Sequence, residues 1–433
     1  MSDCRSHHAA RFSSLFVVGA LAVLSPASAS AEPPTAAAAA KPGAPAGGDA
    51  DKAGAPASKE PEKNIAEKAL DKITSATSHW FERINMRGYS QVRYNRLFET
   101  NENLVNIQGD KSIGKNGGFL LRRARLIVFG DIHPHVSIYL QPDFASTAND
   151  QIHVAIMRDW YADLFADKDK ELRFRVGQSK VPFGFENMQS SQNRAPLDRS
   201  DALNSALKDE RDLGAFVYYT PKKIRARFKQ LVDDGLKGSG DYGVVGLGVY
   251  NGQTANKTEK NDTPHVVARV TYPFAFGNQI LEIGGGAYTG QFVVSKDKDI
   301  GGDKSFRDAR AHAAIVLYPK PIGFQAEYNV GVGPELRDGV IQERFLHGGY
   351  AMVMARIGGF LPYARAVLYE GGRKFETNAP RYKVRELELG LEWQIIKPLE
   401  VTAAYTFAER TFPEAPYQQE SGRFLRLQAQ VNF

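Results

Sequence analysis

FLRLQAQVNF, residues 424–433, alternates between apolar and polar side chains. Successive side chains of a β-strand point to opposite faces, so this period of two predicts a strand with one apolar and one polar face. The apolar face carries Leu425, Leu427, Ala429, Val431 and Phe433, and the polar face carries Arg426, Gln428, Gln430 and Asn432.

The same alternation recurs along the chain after residue 84, most clearly at 171–179, 323–332, 385–394 and 399–410. In a soluble β-sandwich the apolar face points into a core. In a membrane barrel it points to lipid, and the polar face lines a lumen. The polar faces here carry many charges over runs of nine or ten residues, longer than most sandwich strands, so the pattern favours the barrel.

The connections between these strands alternate in length. Short turns lie at 131–136, 166–170, 273–278, 320–323, 358–359 and 395–398. Long polar loops lie at 99–117, 187–209, 251–262, 295–305, 333–342, 371–379 and 412–420. Short turns at one end and long loops at the other are typical of outer-membrane barrels.

Strand centres fall near residues 90, 124, 141, 158, 176, 215, 246, 268, 284, 313, 328, 350, 365, 389, 404 and 427. These positions predict an all-β fold, a 16-stranded antiparallel transmembrane β-barrel over residues 84–433 with a short N-terminal helix before it. A barrel of this size encloses an aqueous channel rather than a packed interior.

Composition excludes several other classes. The 433 residues have a mean hydropathy of −0.37, and no apolar run approaches the ~18 residues of a membrane-spanning helix. A single cysteine, Cys4, excludes a disulfide scaffold. An aromatic content of 11% excludes a chain that is disordered throughout.

The N-terminal residues predict export. Basic residues precede an apolar run over 15–24, and small residues at Ala29 and Ala31 mark a cleavage site, so residues 1–31 are expected to be a signal peptide cleaved near Ala31. Residues 32–62 are rich in Ala, Pro and Gly and are expected to form a disordered linker. Apolar spacing over 63–81 predicts a short amphipathic helix, with a small trimeric coiled coil as the alternative.

Residues 118–144 (GFLLRRARLIVFGDIHPHVSIYLQPDF) and 174–214 resemble the phosphate-selective porin O/P family of Gram-negative outer membranes. The motifs that carry the resemblance are Arg-Arg-Ala-Arg before an apolar strand, Gln-Pro-Asp-Phe, Gly-Gln-x-Lys-Val-Pro-Phe-Gly, a Ser-Ser pair and Arg-Asp-Leu-Gly. The likeness continues more loosely over most of residues 84–433. It implies a homotrimer of 16-stranded barrels in the bacterial outer membrane, with the loop at 187–209 folded inward as the constriction.

The resemblance also implies an anion site, in which strand arginines, a strand aspartate and residues of the inward loop surround the ion. The matching residues are Arg122, Arg123, Asp159, Ser190, Ser191 and Arg199. Asn187 stands where the family has a lysine, and Arg125 stands where it has a tyrosine. These two departures change the geometry of the site more than its charge.

Strand parity adds further arginines to the expected lumen. Arg173 and Arg175 fall on the polar face of their strand, as do Arg269 and Arg310 on theirs, whereas the parity of Arg365 is ambiguous. Rings of Arg or Lys line pores that pass anions and phosphate. We therefore include Arg173 and Arg175 in the predicted constriction.

Two basic stretches depart from simple alternation. Arg122 shares parity with apolar neighbours, so Arg122 and Arg123 can both face the lumen only if a β-bulge or the loop above accommodates them. A second basic stretch alternates and predicts a common basic face formed by Lys223, Arg225, Arg227 and Lys229.

Together these features predict a porin for passive diffusion of small anions, phosphate or related oxyanions, through an Arg-lined constriction. A general, weakly selective porin is the alternative, because Glu386, Glu388 and Glu392 form an acidic wall on one strand. A structural barrel that tethers the envelope through its linker and helix is a third hypothesis.

We expect no enzymatic activity, because the sequence contains no Gly-x-Ser-x-Gly motif and no evident nucleophile set. We also expect no cofactor, no metal site and no nucleic-acid partner. The expected partners are small inorganic anions, outer-membrane lipid, two further copies of the chain, and the barrel-assembly machinery, which would recognise the C-terminal strand ending in Phe433.

Overall fold

The computed structural model describes residues 80–98, 117–148, 151–414 and 417–433, which form sixteen antiparallel strands closed into one barrel. The strands are β1 (Ile84–Leu97), β2 (Gly118–His133), β3 (Val136–Ala148), β4 (Gln151–Phe165), β5 (Leu172–Lys180), β6 (Arg211–Tyr219), β7 (Val245–Tyr250), β8 (His265–Phe276), β9 (Gln279–Val293), β10 (Ser305–Leu317), β11 (Ile322–Arg337), β12 (Val340–Ala355), β13 (Phe360–Gly372), β14 (Arg381–Ile396), β15 (Leu399–Phe412) and β16 (Gln418–Asn432). Every expected strand centre lies within its own strand, so the predicted fold is confirmed.

Closure of the barrel depends on the pairing of its first and last strands. β1 runs antiparallel to β16 with Tyr89 opposite Asn432, and Gly88 and Phe433 exchange backbone hydrogen bonds of 2.7 and 2.9 Å. A closed ring leaves no strand edge, so the ladder satisfies backbone groups that lipid cannot. The alternating stretch at 424–433 is therefore the strand that closes the barrel.

Alternation separates a lipid-facing surface from a lumenal one. In β8, His265 and Arg269 are 1% and 3% exposed, whereas Val266 and Val270 are 51% and 57% exposed. The same contrast runs around the barrel, so charged side chains are enclosed while apolar ones form the outer surface, the inverse of a soluble protein.

The connections follow the expected alternation in length with three exceptions. Only residues 149–150 separate β3 from β4, at the end where most connections are long. β11 and β12 join through Asp338-Gly339 alone, so the long loop expected at 333–342 is wrong. Both residues have positive φ values, 49° and 76°, as a two-residue hairpin turn requires. Conversely, residues 220–244 join β6 to β7 at the end where the other connections are short, and we call them the mouth segment.

Three short helices lie in the connections. The loop of residues 181–210, which we call the constriction loop, contains α1 (Phe185–Met188) and α2 (Asp201–Ala206), and the mouth segment contains α3 (Lys222–Asp233). None of the described helices is long and apolar enough to cross a membrane. Positions two apart diverge on a helix of 3.6 residues per turn, so the common basic face expected on α3 is wrong for Lys223, Arg225, Arg227 and Lys229.

Most of the expected N-terminal organisation lies outside the described residues. This holds for the signal peptide at 1–31, the linker at 32–62 and residues 63–79 of the expected helix. Trp80–Arg83 form a single 3₁₀ turn directly before β1.

Gly286 on β9 permits close packing between the barrel wall and the constriction loop. A Cβ at this position would lie 2.6 Å from the carbonyl oxygen of Ala268 and 2.9 Å from Nε2 of His312. That same Nε2 accepts the backbone N–H of Gly184, at 3.1 Å, in the constriction loop. The glycine therefore leaves room for a contact that positions the loop.

We expect Gly286→Ala to lower the free energy of unfolding by about 1–3 kcal/mol, because the added carbon must displace the neighbouring strand or His312. Urea unfolding in lipid vesicles measures this. The control is Gly285→Ala, where the nearest atom to the new Cβ is a backbone oxygen at 3.0 Å. An equal loss of unfolding free energy in Gly286→Ala and Gly285→Ala would contradict the role assigned to Gly286 in packing against His312.

Candidate functional site: an arginine-lined constriction

A β-bulge in β2 turns two consecutive arginines into the lumen. The register between β1 and β2 shifts between Gln91 and Val92, which leaves Arg122 as an extra residue. Arg122 reaches Asp198 of the constriction loop at 3.0 Å, and Arg123 donates to Oε1 of Gln91 at 2.7 Å. Of the two alternatives that the sequence left open, the structure has the bulge, and Arg122 also contacts the constriction loop.

Asp198 fastens the constriction loop to the wall at the barrel seam. Its carboxylate lies 2.6 Å from Arg93 on β1, 2.9 Å from Arg426 on β16 and 3.0 Å from Arg122 on β2. Burial disfavours the charged form, but these guanidinium groups hold the pKa of Asp198 well below its usual range. The loop thus crosses from β5 and β6 to the strands that close the barrel.

The Ser-Ser pair sits beside this anchor. The hydroxyl of Ser191 is 2.7 Å from the hydroxyl of Tyr89 and accepts a hydrogen bond of 3.2 Å from Nη1 of Arg125. Arg125 in turn pairs with Asp143 at 2.8 Å, while Ser190 is partly exposed. The structure therefore brings together Arg122, Arg123, Arg125 and Ser191, four of the nine residues assigned to the constriction from the sequence.

Two buried arginines in this region have no carboxylate within 4.0 Å among the described residues. Arg123 and Arg194 are 5% and 4% exposed. Arg194 donates to the carbonyl oxygens of Pro196 and Leu197 at 3.1 and 3.4 Å. Nε of Arg123 and Nη1 of Arg194 are buried without a hydrogen-bond partner in the described part of the chain. Both groups retain donors and positive charge that the loop itself does not satisfy.

The arginines around Asp198 and Ser191 form one group, which we call the arginine cluster: Arg93, Arg122, Arg123, Arg125, Arg194 and Arg426. Their carboxylate partners among the described residues are Asp143, Asp198 and Glu388. Arg123 also lies within electrostatic range of Arg122, Arg125 and Arg194. Among the described residues, six guanidinium groups therefore face three directly paired carboxylates, which is an excess of positive charge.

A second set of ion pairs holds the base of the constriction loop. Glu210 lies 2.6 Å from Arg211, 3.1 Å from Arg199 and 3.5 Å from Lys180, and Arg211 also pairs with Asp159 at 2.9 Å. Burial opposes ionisation of Glu210, yet the pKa of this carboxyl is held well below its usual value by its three cations. The structure thus places Asp159 and Arg199 around Glu210 rather than around Ser191.

Arg173 and Arg175 form a third group, next to the mouth segment. Nε of Arg175 lies 2.7 Å from Asp163, and its guanidinium carbon lies 3.7 Å from the ring centroid of Tyr161. Arg173 donates to the carbonyl oxygen of Asp241 at 2.9 Å. These two arginines are separate from the arginine cluster.

The acidic wall on β14 is neutralised by cations. Each of its three glutamates forms an ion pair with a lysine or an arginine on another element. The pairs are Glu386 with Arg410, Glu388 with Arg426, and Glu392 with Lys237. The wall therefore presents far less negative charge to the lumen than its sequence suggests.

Sequence reasoning missed four residues of the arginine cluster and its anchor. Arg426 lies on the polar face of the stretch at 424–433, and Arg93 faces the lumen across from it, so strand parity could have found both. Arg194 and Asp198 lie in a loop without a repeating pattern, where no periodic signal exists.

The family model for phosphate-selective porin O and P matches residues 102–433. Among solved structures, the outer membrane channel DcaP of Acinetobacter baumannii is similar at a TM-score of 0.52 and 14% identity, covering 81% of this chain and 97% of that one. OprB of Pseudomonas putida is similar at a TM-score of 0.50 and 8% identity, and the match covers 84% of this chain and 97% of OprB. No curated protein matches the sequence. The chain belongs to the phosphate-selective porin O and P family, and it is a porin channel of the Gram-negative outer membrane.

Proposed function

We propose that this porin preferentially conducts small oxyanions of the phosphate class through the arginine cluster. The observation that carries the proposal is the pair of buried arginines, Arg123 and Arg194, that have no carboxylate within 4.0 Å among the described residues and keep unused N–H donors. Anion passage needs donors that replace part of a hydration shell, and the guanidinium fork matches the oxygens of phosphate.

The energetics favour an anion at this position. A buried cation without a directly paired counterion is costly, so an entering anion offsets part of the desolvation of Arg123 and Arg194 and accepts hydrogen bonds from their unused N–H donors. The neighbouring Asp143 and Asp198 weaken the attraction, which allows the ion to leave. Conduction requires this balance between entry and release.

The weakly selective alternative is less well supported. It rests on a transverse field between an acidic and a basic wall, and the acidic residues Glu386, Glu388 and Glu392 are each paired with a cation. The envelope tether rests on residues 32–79, which lie outside the described residues. The homotrimer, the recognition of the C-terminal strand and cleavage near Ala31 likewise stay predictions.

Asn187 supports oxyanion preference over tight phosphate binding. Its side chain accepts from Arg199 at 3.1 Å and donates to the carbonyl oxygen of Val181 at 3.0 Å. Asn187 therefore braces the constriction loop and offers no cation at the position where the family has a lysine. The positive charge near Ser191 comes from the arginine cluster and from Lys180, whose Nζ donates to the carbonyl oxygens of Asn187 and Gln189 at 2.9 and 2.6 Å.

We expect Arg123→Met and Arg194→Met each to lower the anion-to-cation permeability ratio and to weaken phosphate block of chloride current about tenfold, the equivalent of one charge-assisted hydrogen bond. Reversal potentials and current block in planar bilayers measure both effects. Lys222→Met removes the same charge from an exposed side chain that pairs with Asp169, away from the contacts of the arginine cluster, and serves as the control. Cation preference in the unmodified porin would refute the proposal.

Asp198→Asn should shift selectivity toward anions, because it removes one negative charge from among three arginines. It should also destabilise the barrel by about 3–5 kcal/mol, since a buried ion pair loses one partner. Reversal potential and urea unfolding test the two effects independently. Asp169→Asn, which breaks an exposed pair with Lys222, is the matched control and should change neither quantity. A shift toward cations in Asp198→Asn would be inconsistent with an anion path beside this carboxylate.

A further inference from the structure

The mouth segment is far longer than its connection requires. It leaves the barrel after β6 and returns at β7, and these strands are direct neighbours in the sheet. Its ends are already joined by a hydrogen bond of 2.8 Å from the backbone N–H of Val244 to the carbonyl oxygen of Tyr219. A tight turn would suffice there, so the additional residues serve another purpose.

The first half of the mouth segment packs against the inner wall of the barrel. Ile224, Phe228 and Leu231 lie on one side of α3 and are buried. They form a single apolar cluster with Leu236 of the same segment, with Phe185 of α1, and with side chains of β9, β10 and the turn after β10: Ile280, Ala314, Val316 and Tyr318. The helix is therefore held inside the mouth of the barrel, against β9 and β10.

The second half reaches the opposite wall. Nζ of Lys237 lies 2.5 Å from Oε1 of Glu392 on β14 and 3.8 Å from Glu400 on β15. In a ring of sixteen strands, β14 and β15 lie eight positions from β6 and β7, which is the far side of the lumen. Arg356, in the turn after β12, adds a hydrogen bond of 2.5 Å to the carbonyl oxygen of Asp234. The mouth segment therefore crosses the full width of the channel.

The mouth segment also meets the constriction loop inside the lumen. Nε2 of Gln189 donates to the carbonyl oxygen of Lys237 at 2.6 Å, and Nδ2 of Asn193 donates to that of Gly238 at 2.7 Å. Both donors lie in the part of the loop that carries Ser191. Two elements that enter from opposite ends of the barrel are thus joined at its centre.

We propose that the mouth segment is a second constriction element, which narrows the channel from the short-turn end and sets its size limit, and that Lys237 latches it to Glu392 and Glu400. The latch is buried, with Lys237 and Glu392 each 5% exposed. Burial by itself would lower the pKa of Lys237, but the two glutamates raise it above its usual value, so the lysine keeps its charge and the ion pair.

The latch affects ion selectivity as well as width. Removing the charge of Lys237 leaves Glu392 and Glu400 facing the lumen without their cation. The loosened channel should then be wider and less anion-preferring. Neutralising both glutamates as well should restore the anion preference and leave the channel wide, which separates the effect on size from the effect on charge.

The test compares Lys237→Met, the triple variant Lys237→Met/Glu392→Gln/Glu400→Gln and the unmodified porin. Liposome swelling with uncharged sugars of increasing mass reports the size limit independently of ion selectivity. Planar bilayers in potassium chloride report conductance and reversal potential. We expect at least a twofold rise in conductance and entry of larger sugars in both variants. The anion-to-cation permeability ratio should fall only in Lys237→Met.

Lys229→Met is the matched control, because Lys229 lies on the same segment, is exposed and pairs only with Asp233 of the same helix among the described residues. It should leave conductance and the size limit unchanged. Replacement of residues 222–241 by two glycines removes the segment while keeping its joined ends, and should widen the channel further. The heat-modifiable gel mobility of folded barrels verifies folding of each variant.

Conductance and sugar limit equal to those of the unmodified porin in both Lys237→Met and the shortened variant would overturn the proposal. A rise in the shortened variant alone would overturn the assignment of Lys237 as the latch. Because uncharged sugars carry these readouts, the result is independent of whether the arginine cluster proves anion-selective.

Discussion

A closed antiparallel barrel turns every second side chain inward, and the inner wall must then accommodate the charges that it carries. The seam between Gly88 and Phe433 closes the ring, and it also brings Arg93 and Arg426 side by side. Enclosed cations are costly unless they are paired. Asp198 of the constriction loop supplies the carboxylate that they share, so the same closure that satisfies the backbone in lipid also determines where the loop is fastened.

The strands could be predicted from the sequence because lipid and water impose a strict period of two on them. The conflict in parity at Arg122 pointed to a bulge or to the loop above it, and the structure has a bulge at this residue. The connections carried no such constraint. The alternation of Lys223 and Arg225 is a coincidence within a helix whose position depends on apolar contacts with distant β9 and β10. Arg194 and Asp198 were missed for the same reason, since only the folded loop brings them to the wall.

The arginines of the constriction combine structural and conductive roles, and their partners separate the two. Arg93 and Arg426 share Asp198 and hold the loop in place, whereas Arg123 and Arg194 have no carboxylate within 4.0 Å among the described residues. A lumen in which every cation is paired would be rigid and would attract ions weakly. A lumen in which none is paired would not keep its loop folded inside. Because some arginines pair with carboxylates and others do not, the constriction loop is held firmly while the channel beside it keeps a positive charge.

The two departures from the family pattern follow the same logic. Arg125 replaces a tyrosine, but Asp143 and the hydroxyl of Tyr89 take up its donors, so it adds little free charge. Asn187 replaces a lysine and is used to brace the constriction loop. Neither position therefore supplies the cation that a loop lysine would bring to the anion. In the described constriction loop, Arg194 is the buried cation that keeps an unused N–H donor.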